Sequence, residues 1–134
     1  MPQGILPFKY ERQTQGSGMT GFGGLPVYLE LAYAMGLPRS IDQCVRVRAE
    51  GQGWRDSEVV MSLILLNLAG GECVEDLNRL EGDEGFCRIL EKVGKYGLKR
   101  KERRELERRW RKERRRGVPS PSAVFRYLGG FCDE

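Results

Sequence analysis

Residues 56–68 read DSEVVMSLILLNL. Wound at 3.6 residues per turn, Val59, Val60, Met61, Leu63, Ile64, Leu65, Leu66 and Leu68 surround the whole helix axis. A helix that is apolar on every side belongs in the centre of a core, with other elements packed around it. This stretch therefore predicts a helical protein built about residues 56–68. Asp56 or Ser57 is placed to cap its start. Glycines bound it on both sides, Gly51 and Gly53 before and Gly70-Gly71 after.

The flanks carry the same signature. Toward the N-terminus, Leu25, Leu29, Ala32, Tyr33 and Met35 predict a helix ending at Gly36. In RSIDQ, Ser40 with Gln43 three residues on has the form of a capping box, followed by Ile41, Cys44, Val45 and Val47. Toward the C-terminus, CVEDLNRL gives a short helix. DEGFCRILEKV gives another, with Phe86, Ile89, Leu90 and Val93 on one face and Gly94 and Gly97 at its exit. Ser120-Pro121 is a helix start, a capping serine followed by a proline whose missing N–H costs nothing there. Phe125, Leu128 and Phe131 are the expected inner face of that last helix. Before all of these, GILPFKYE at residues 4–11 alternates in the manner of one strand, and Pro7 suits an edge. A lone strand has nothing to pair with. Either it lies along the helices, or its partner is not in this chain. The fold class expected is mainly α: a helical bundle with a single N-terminal extended strand and a long basic helix. The segments are 1–24 (strand and glycine-rich loop), 25–98 (helical core), 99–117 (basic helix) and 118–134 (C-terminal helix).

Composition removes whole classes of chemistry. The chain of 134 residues has no histidine, and its four cysteines include no C-x-x-C pair. That argues against a zinc site and against any mechanism needing an imidazole base. The cysteines read as reduced, mostly buried thiols. MPQGILPFKY lacks the basic start and long apolar run of a signal peptide. The longest apolar stretch, Val59–Ala69, falls short of the ~20 residues that a membrane span needs. A soluble, cytoplasmic protein is expected, without a membrane partner.

Charge is concentrated in one place. Lys99–Arg116, KRKERRELERRWRKERRR, holds twelve Lys or Arg against four Glu, in a chain whose net charge is only +4. It has no Gly or Pro and is made of good helix formers. A helix of that length would be about 27 Å long. Leu106 and Trp110, four apart, are its only apolar residues and share one face. Glu105–Arg109 and Glu107–Arg111 are favourable i,i+4 pairs, each worth about 0.2–0.5 kcal/mol. Eight positive charges would still be uncompensated, and their repulsion opposes the helix. A polyanion relieves that repulsion and gains entropy by counterion release. Three uses fit: nucleic-acid contact, a solvated spacer, or contact with an acidic protein or membrane surface. The arginine excess favours phosphate, because a guanidinium binds two oxygens at once. SPSAVFRYL offers either a phosphate-holding helix N-terminus with Arg126 further along, half of a helix-turn-helix, or an ordinary cap with a solvated arginine.

No catalytic constellation is legible. Glu72, Glu75, Asp76, Glu81, Asp83 and Glu84 cluster around one short helix and read as caps and first-turn acids. The glycine-rich stretches Gly16-Ser17-Gly18 and Gly21-Phe22-Gly23-Gly24 lack the strand and the Gly-Lys-Ser/Thr of a phosphate loop.

Five segments, GILPFKYE, MTGFGGLPVYLELAYAMGL, GWRDSEVVMSLILLNLAGGECVEDLNRLEGDEGFCRIL, RKERRELERRWRKERRR and VPSPSAVFRYLGGF, resemble in that order the N-terminal region of bacterial insertion-sequence transposases with a group-one DDE domain. The most specific pieces are Gly70-Gly71 followed by Val74-Glu75-Asp76-Leu77, Leu80 and Asp83, and Pro119-Ser120 followed by Arg126. The resemblance runs from about Gly4 to Phe131. It implies binding to double-stranded DNA at the terminal inverted repeats of an element. It also implies a ribonuclease-H-like core, in which Asp, Asp and Glu hold two Mg²⁺. The first catalytic aspartate of the family follows this region in a strand, and the chain ends at Glu134 without one. Asp133 lacks that setting and takes no role. On this reading the chain is a truncated remnant without catalysis or cofactor of its own, since Mg²⁺ belongs to the missing domain. Arg100, Arg103, Arg104, Arg108, Arg109, Arg111, Lys112 and Arg115 would contact phosphates, while Ser120 and Arg126 would help position the end-binding helix. Full-length transposase is a further expected partner. The alternative is an interaction protein that joins transposase, or an acidic partner, without DNA.

Overall fold

The computed structural model describes residues 20–47, 53–95, 98–108 and 116–132. Seven α-helices lie among them: α1 Leu25–Ala34, α2 Leu37–Cys44, α3 Asp56–Leu68, α4 Leu77–Gly82, α5 Glu84–Lys95, α6 Arg100–Arg108 and α7 Pro121–Gly129. A 3₁₀ turn, Val74–Asp76, leads into α4. There is no strand among the described residues, and the strand expected at 4–11 lies outside them. The mainly helical class is as expected.

α3 sits where its composition puts it. It packs against α1, α2 and α4, and Val59, Met61, Leu65 and Leu66 are buried. Ser62, also buried, satisfies its hydroxyl on the Glu58 carbonyl one turn back at 2.7 Å. Gly70-Gly71 closes the helix as expected. Gly70 takes φ +80°, a left-handed conformation in which a side chain is strained. The Gly70 and Gly71 amides then reach back to the Asn67 and Leu66 carbonyls, completing a Schellman motif.

The start of α3 corrects the expected cap. Neither Asp56 nor Ser57 caps it; the N-cap is Arg55, whose N–H donates to Glu58 Oε2 at 2.8 Å. The Ser57 N–H and hydroxyl both donate to Asp42 of α2, at 3.0 and 2.8 Å. Asp56 is buried and accepts the Val47 N–H at 3.1 Å. Ser40 likewise does not begin a helix. α2 starts at Leu37, after a left-handed Gly36 and with Pro38 in its first turn, and it ends at Cys44, so Val45 and Val47 lie beyond it. Proline suits a first turn, and here it overrode the serine signal.

Toward the C-terminus, Leu77, Leu80 and Phe86 are buried, and Phe86 meets Phe22 edge to face with ring centroids 5.9 Å apart. Ser120 caps α7 as expected, its Oγ accepting the Ala123 N–H at 3.3 Å. The inner face of α7 differs from expectation. Ala123, Val124 and Tyr127 are buried, whereas Phe125, Leu128 and Phe131 are 54%, 39% and 57% exposed. α7 lies against the 3₁₀ turn. The cysteines also differ. All four are free, but Cys44, Cys73 and Cys132 are exposed and only Cys87 is partly buried. No helix among the described residues is long and apolar enough to cross a membrane.

Candidate nucleic-acid interface

α6 begins with its own cap. The Lys99 N–H donates to Glu102 Oε2 at 2.6 Å, and the Arg103 N–H closes the first turn on the Lys99 carbonyl at 3.0 Å. Glu102 thus places negative charge at the positive end of the helix. Leu106 is the one buried side chain of α6. Arg100, Lys101, Arg103, Arg104 and Arg108 are all exposed.

Helical geometry groups these cations. Arg100, Arg104 and Arg108 recur every fourth residue, so they line one side of the helix; Arg103 and Lys101 flank that row. Leu106 falls well round from it, so anchoring and charge occupy different faces. Among the described residues no carboxylate forms an ion pair with any of these four arginines. Like charges at i,i+4, Arg100–Arg104 and Arg104–Arg108, cost a few tenths of a kcal/mol each, and Lys101–Glu105 and Arg103–Glu107 are opposite charges at the same spacing. Arg109, Arg111, Lys112 and Arg115 lie outside the described residues, as does Trp110, so the expected pairs of Glu105 with Arg109 and Glu107 with Arg111 each have one member outside them.

The far end of the basic segment is stapled down. Glu81 Oε2 accepts the N–H groups of Gly117 at 2.8 Å and of Val118 at 3.0 Å. Arg116 turns inward, donating to the Val118 carbonyl and to Asn78 Oδ1. A Cβ at Gly117 would come within 2.6 Å of Cys87 Sγ, so only glycine fits this approach to α5. Val118 and Pro119 are buried, and α7 follows at once.

Asp83 performs the matching task for the segment before α1. Its Oδ1 caps α5 on the Phe86 N–H at 2.8 Å; its Oδ2 accepts the Thr20 hydroxyl at 2.9 Å and the Gly21 N–H at 2.8 Å. Partial burial works to raise this carboxyl, but the Phe86, Gly21 and Thr20 donors outweigh it and hold it below its ordinary value. Asp76 is also lowered, chiefly by the Glu72 N–H that its carboxylate accepts. The acid cluster is therefore structural in the way expected, as caps, and it also ties down distant loops. Among the described residues no group of three or more Cys, Asp or Glu is placed to hold a metal ion.

The inner side of α6 forms one wall of an open cleft of about 1230 Å³, facing α2 and the start of α3. Its carboxylates are spent inside the molecule: Asp42 on Ser57, Glu58 on the Arg55 N–H, Glu102 on the Lys99 N–H. No set of free polar groups converges there, so the outer face of α6 is the stronger candidate.

Ser120 and Arg126 sit apart from this face, on α7. The Ser120 oxygen is committed to the cap and to Ser122 Oγ at 3.1 Å. Arg126 is exposed in the last turn, where a cation complements the helix dipole. Two features escaped the sequence reading: Lys101 joins the cationic side of α6, and Glu81 fixes where the basic segment ends. The charge run itself signalled Lys101. Nothing local signalled Glu81, which acts across 36 residues. No protein-family model, curated protein or solved structure matches the chain.

Proposed function

We propose that the chain is the DNA-binding N-terminal portion of a DDE transposase, acting at the terminal inverted repeats of its element. The observation that carries this reading is the outer side of α6, where Arg100, Arg103, Arg104 and Arg108 are exposed without a described carboxylate partner. Phosphate contacts of this kind supply affinity without sequence choice. Preference for the repeat is the task of another element, and α7, with Arg126 on its surface, is the candidate. The resemblance to group-one DDE transposases supports the same assignment. Cutting and joining are not assigned to any residue of this chain.

The test is fluorescence anisotropy on a duplex carrying the terminal repeat, with a scrambled duplex as control, across a salt series. Each phosphate contact contributes about −0.9 to the slope of log K against log salt. Replacing the four arginines by alanine is expected to flatten the slope by up to about 3–4. Absence of binding at low salt, or an unchanged slope in the variant, overturns the proposal.

A further inference from the structure

Arg104 stands at the middle of the exposed side of α6, with Arg100 and Arg108 one turn before and after it. At ~1.5 Å per residue the three span about 12 Å of helix. The remaining charges are placed evenly about this row. Counting about 100° per residue from Arg104, Lys101 and Glu105 fall about 60° and 100° round on one shoulder. Glu107 and Arg103 fall about 60° and 100° round on the other. Each shoulder therefore holds one cation and one carboxylate, four residues apart in sequence, and all four are exposed. Glu102 is committed to the Lys99 N–H. Each shoulder is neutral overall, and the row of three arginines keeps its charge. A shallow groove runs along it, lined by Arg100, Lys101, Arg104, Glu105 and Arg108.

A helix with its side chains is about 10–12 Å across, and the major groove of a duplex is about 12 Å wide. A helix seated in that groove has a phosphate strand on each side. Seated there with its arginine row toward the base edges, α6 would turn Glu107 toward one strand and Glu105 toward the other. Both contacts are repulsive, and like charges brought together at an interface cost affinity. On a single strand the same helix presents only its row. Phosphates follow one another every ~3.4 Å of duplex axis along a strand, so a row of about 12 Å passes about three of them. Each guanidinium can then bind phosphate oxygens in pairs.

On the DNA-binding reading proposed above, on which this rests, we infer that α6 lies along one sugar–phosphate strand and stays out of the major groove. Arg100, Arg104 and Arg108 meet successive phosphates. Glu105 and Glu107 hold the helix off the facing strand. α6 then sets the register and orientation of the protein on the duplex without reading a base.

Salt titrations of the full chain by anisotropy test it on two duplexes of one sequence, one unmodified and one whose major groove is filled by glucosylated hydroxymethylcytosine. The wild-type chain and the triple variant Arg100→Ala, Arg104→Ala, Arg108→Ala are compared on each, with circular dichroism to show an unchanged fold. The slope of log K against log salt should flatten by about 2.7 in the variant, about 0.9 for each phosphate released, and by the same amount on both duplexes. Whatever another element reads in the groove cancels in that difference. Lys101→Ala and Arg103→Ala should each alter the slope by less than half as much as Arg104→Ala. A smaller loss on the filled duplex means that α6 enters the groove, and an equal loss at Lys101 or Arg103 means that the row is not the contact. Either result overturns the inference while DNA binding stands. A wild-type chain that binds neither duplex at low salt removes the DNA-binding reading itself, and the inference with it.

Discussion

Glu81 accepts the Gly117 N–H at 2.8 Å, and this one carboxylate decides where the basic segment rejoins the core. The same oxygen takes the Val118 N–H at 3.0 Å, beside a valine that is fully buried. A carboxylate on α4 thus substitutes for the secondary structure that these two amides lack. It sets the chain in register for the Ser120 cap three residues beyond Gly117.

Removing it should be costly. Glu81→Ala leaves two amides without their acceptor, and an orphaned buried donor costs about 1–3 kcal/mol. Glu81→Gln retains a carbonyl oxygen and should lose less. Gly117→Ala should cost about 1–3 kcal/mol by overpacking, since its Cβ would press on Cys87. Urea denaturation of the three variants checks the order, with Glu81→Gln the mildest of the Glu81 pair.

Asp83 predicts an acid-labile N-terminal anchor. Its carboxyl lies below its ordinary value near 3.8 in the folded chain, because the Phe86, Gly21 and Thr20 donors favour the ionised form over the opposing effect of burial. A depressed carboxyl contributes stability that is fully present above the unfolded value and is lost as pH falls through the folded one. Stability should therefore decline on acidification below about pH 4. Asp83→Asn should be less stable at neutral pH and should show a shallower acid loss. Thermal melts at stepped pH measure both. Equal acid sensitivity in the two chains would falsify the assignment.

The two faces of α7 make a further contrast. Tyr127 is buried and stacks edge to face on Phe131, ring centroids 5.5 Å apart. Tyr127→Ala should cost about 3–4 kcal/mol, in the range for truncating a buried aromatic. Phe125→Ala should change monomer stability by no more than about 0.5 kcal/mol, as surface substitutions do. Denaturant midpoints at low protein concentration separate the two.

That contrast also shows what a sequence can carry. α3 was legible because an all-apolar helix has only one place to go, and its Gly70-Gly71 stop and the Ser120-Pro121 start are written in adjacent residues. The inward face of α7 was not. Ala123, Val124 and Tyr127 share helical spacing just as Phe125 and Leu128 do, and periodicity alone cannot choose between two apolar stripes. Both stripes carry an aromatic ring, Tyr127 in one and Phe125 in the other, so size does not choose between them either. The cap of α3 was hidden for a different reason: Asp42 takes the Ser57 N–H from another helix, fifteen residues away. Within the candidate interface, exposure of Arg100, Arg103, Arg104 and Arg108 followed from charge. Glu81 did not, because its partners are distant in sequence.

Leu106 separates anchoring from charge at the proposed interface. It is the buried residue of α6, while Arg100, Arg104 and Arg108 lie on another face. Leu106→Ala leaves every charge in place but loosens the helix that presents them, so binding must then include the entropy of ordering α6. Affinity for the duplex should fall several-fold while the salt slope stays unchanged, because the same phosphates are met in the complex. Removing arginines does the reverse to the slope, flattening it by about 0.9 for each phosphate no longer neutralised. Anisotropy titrations of Leu106→Ala beside Arg104→Ala distinguish the two effects. If Leu106→Ala flattens the slope as Arg104→Ala does, α6 does not meet phosphate as a preformed helix. If neither variant alters binding, the cationic side of α6 is not the surface that DNA meets.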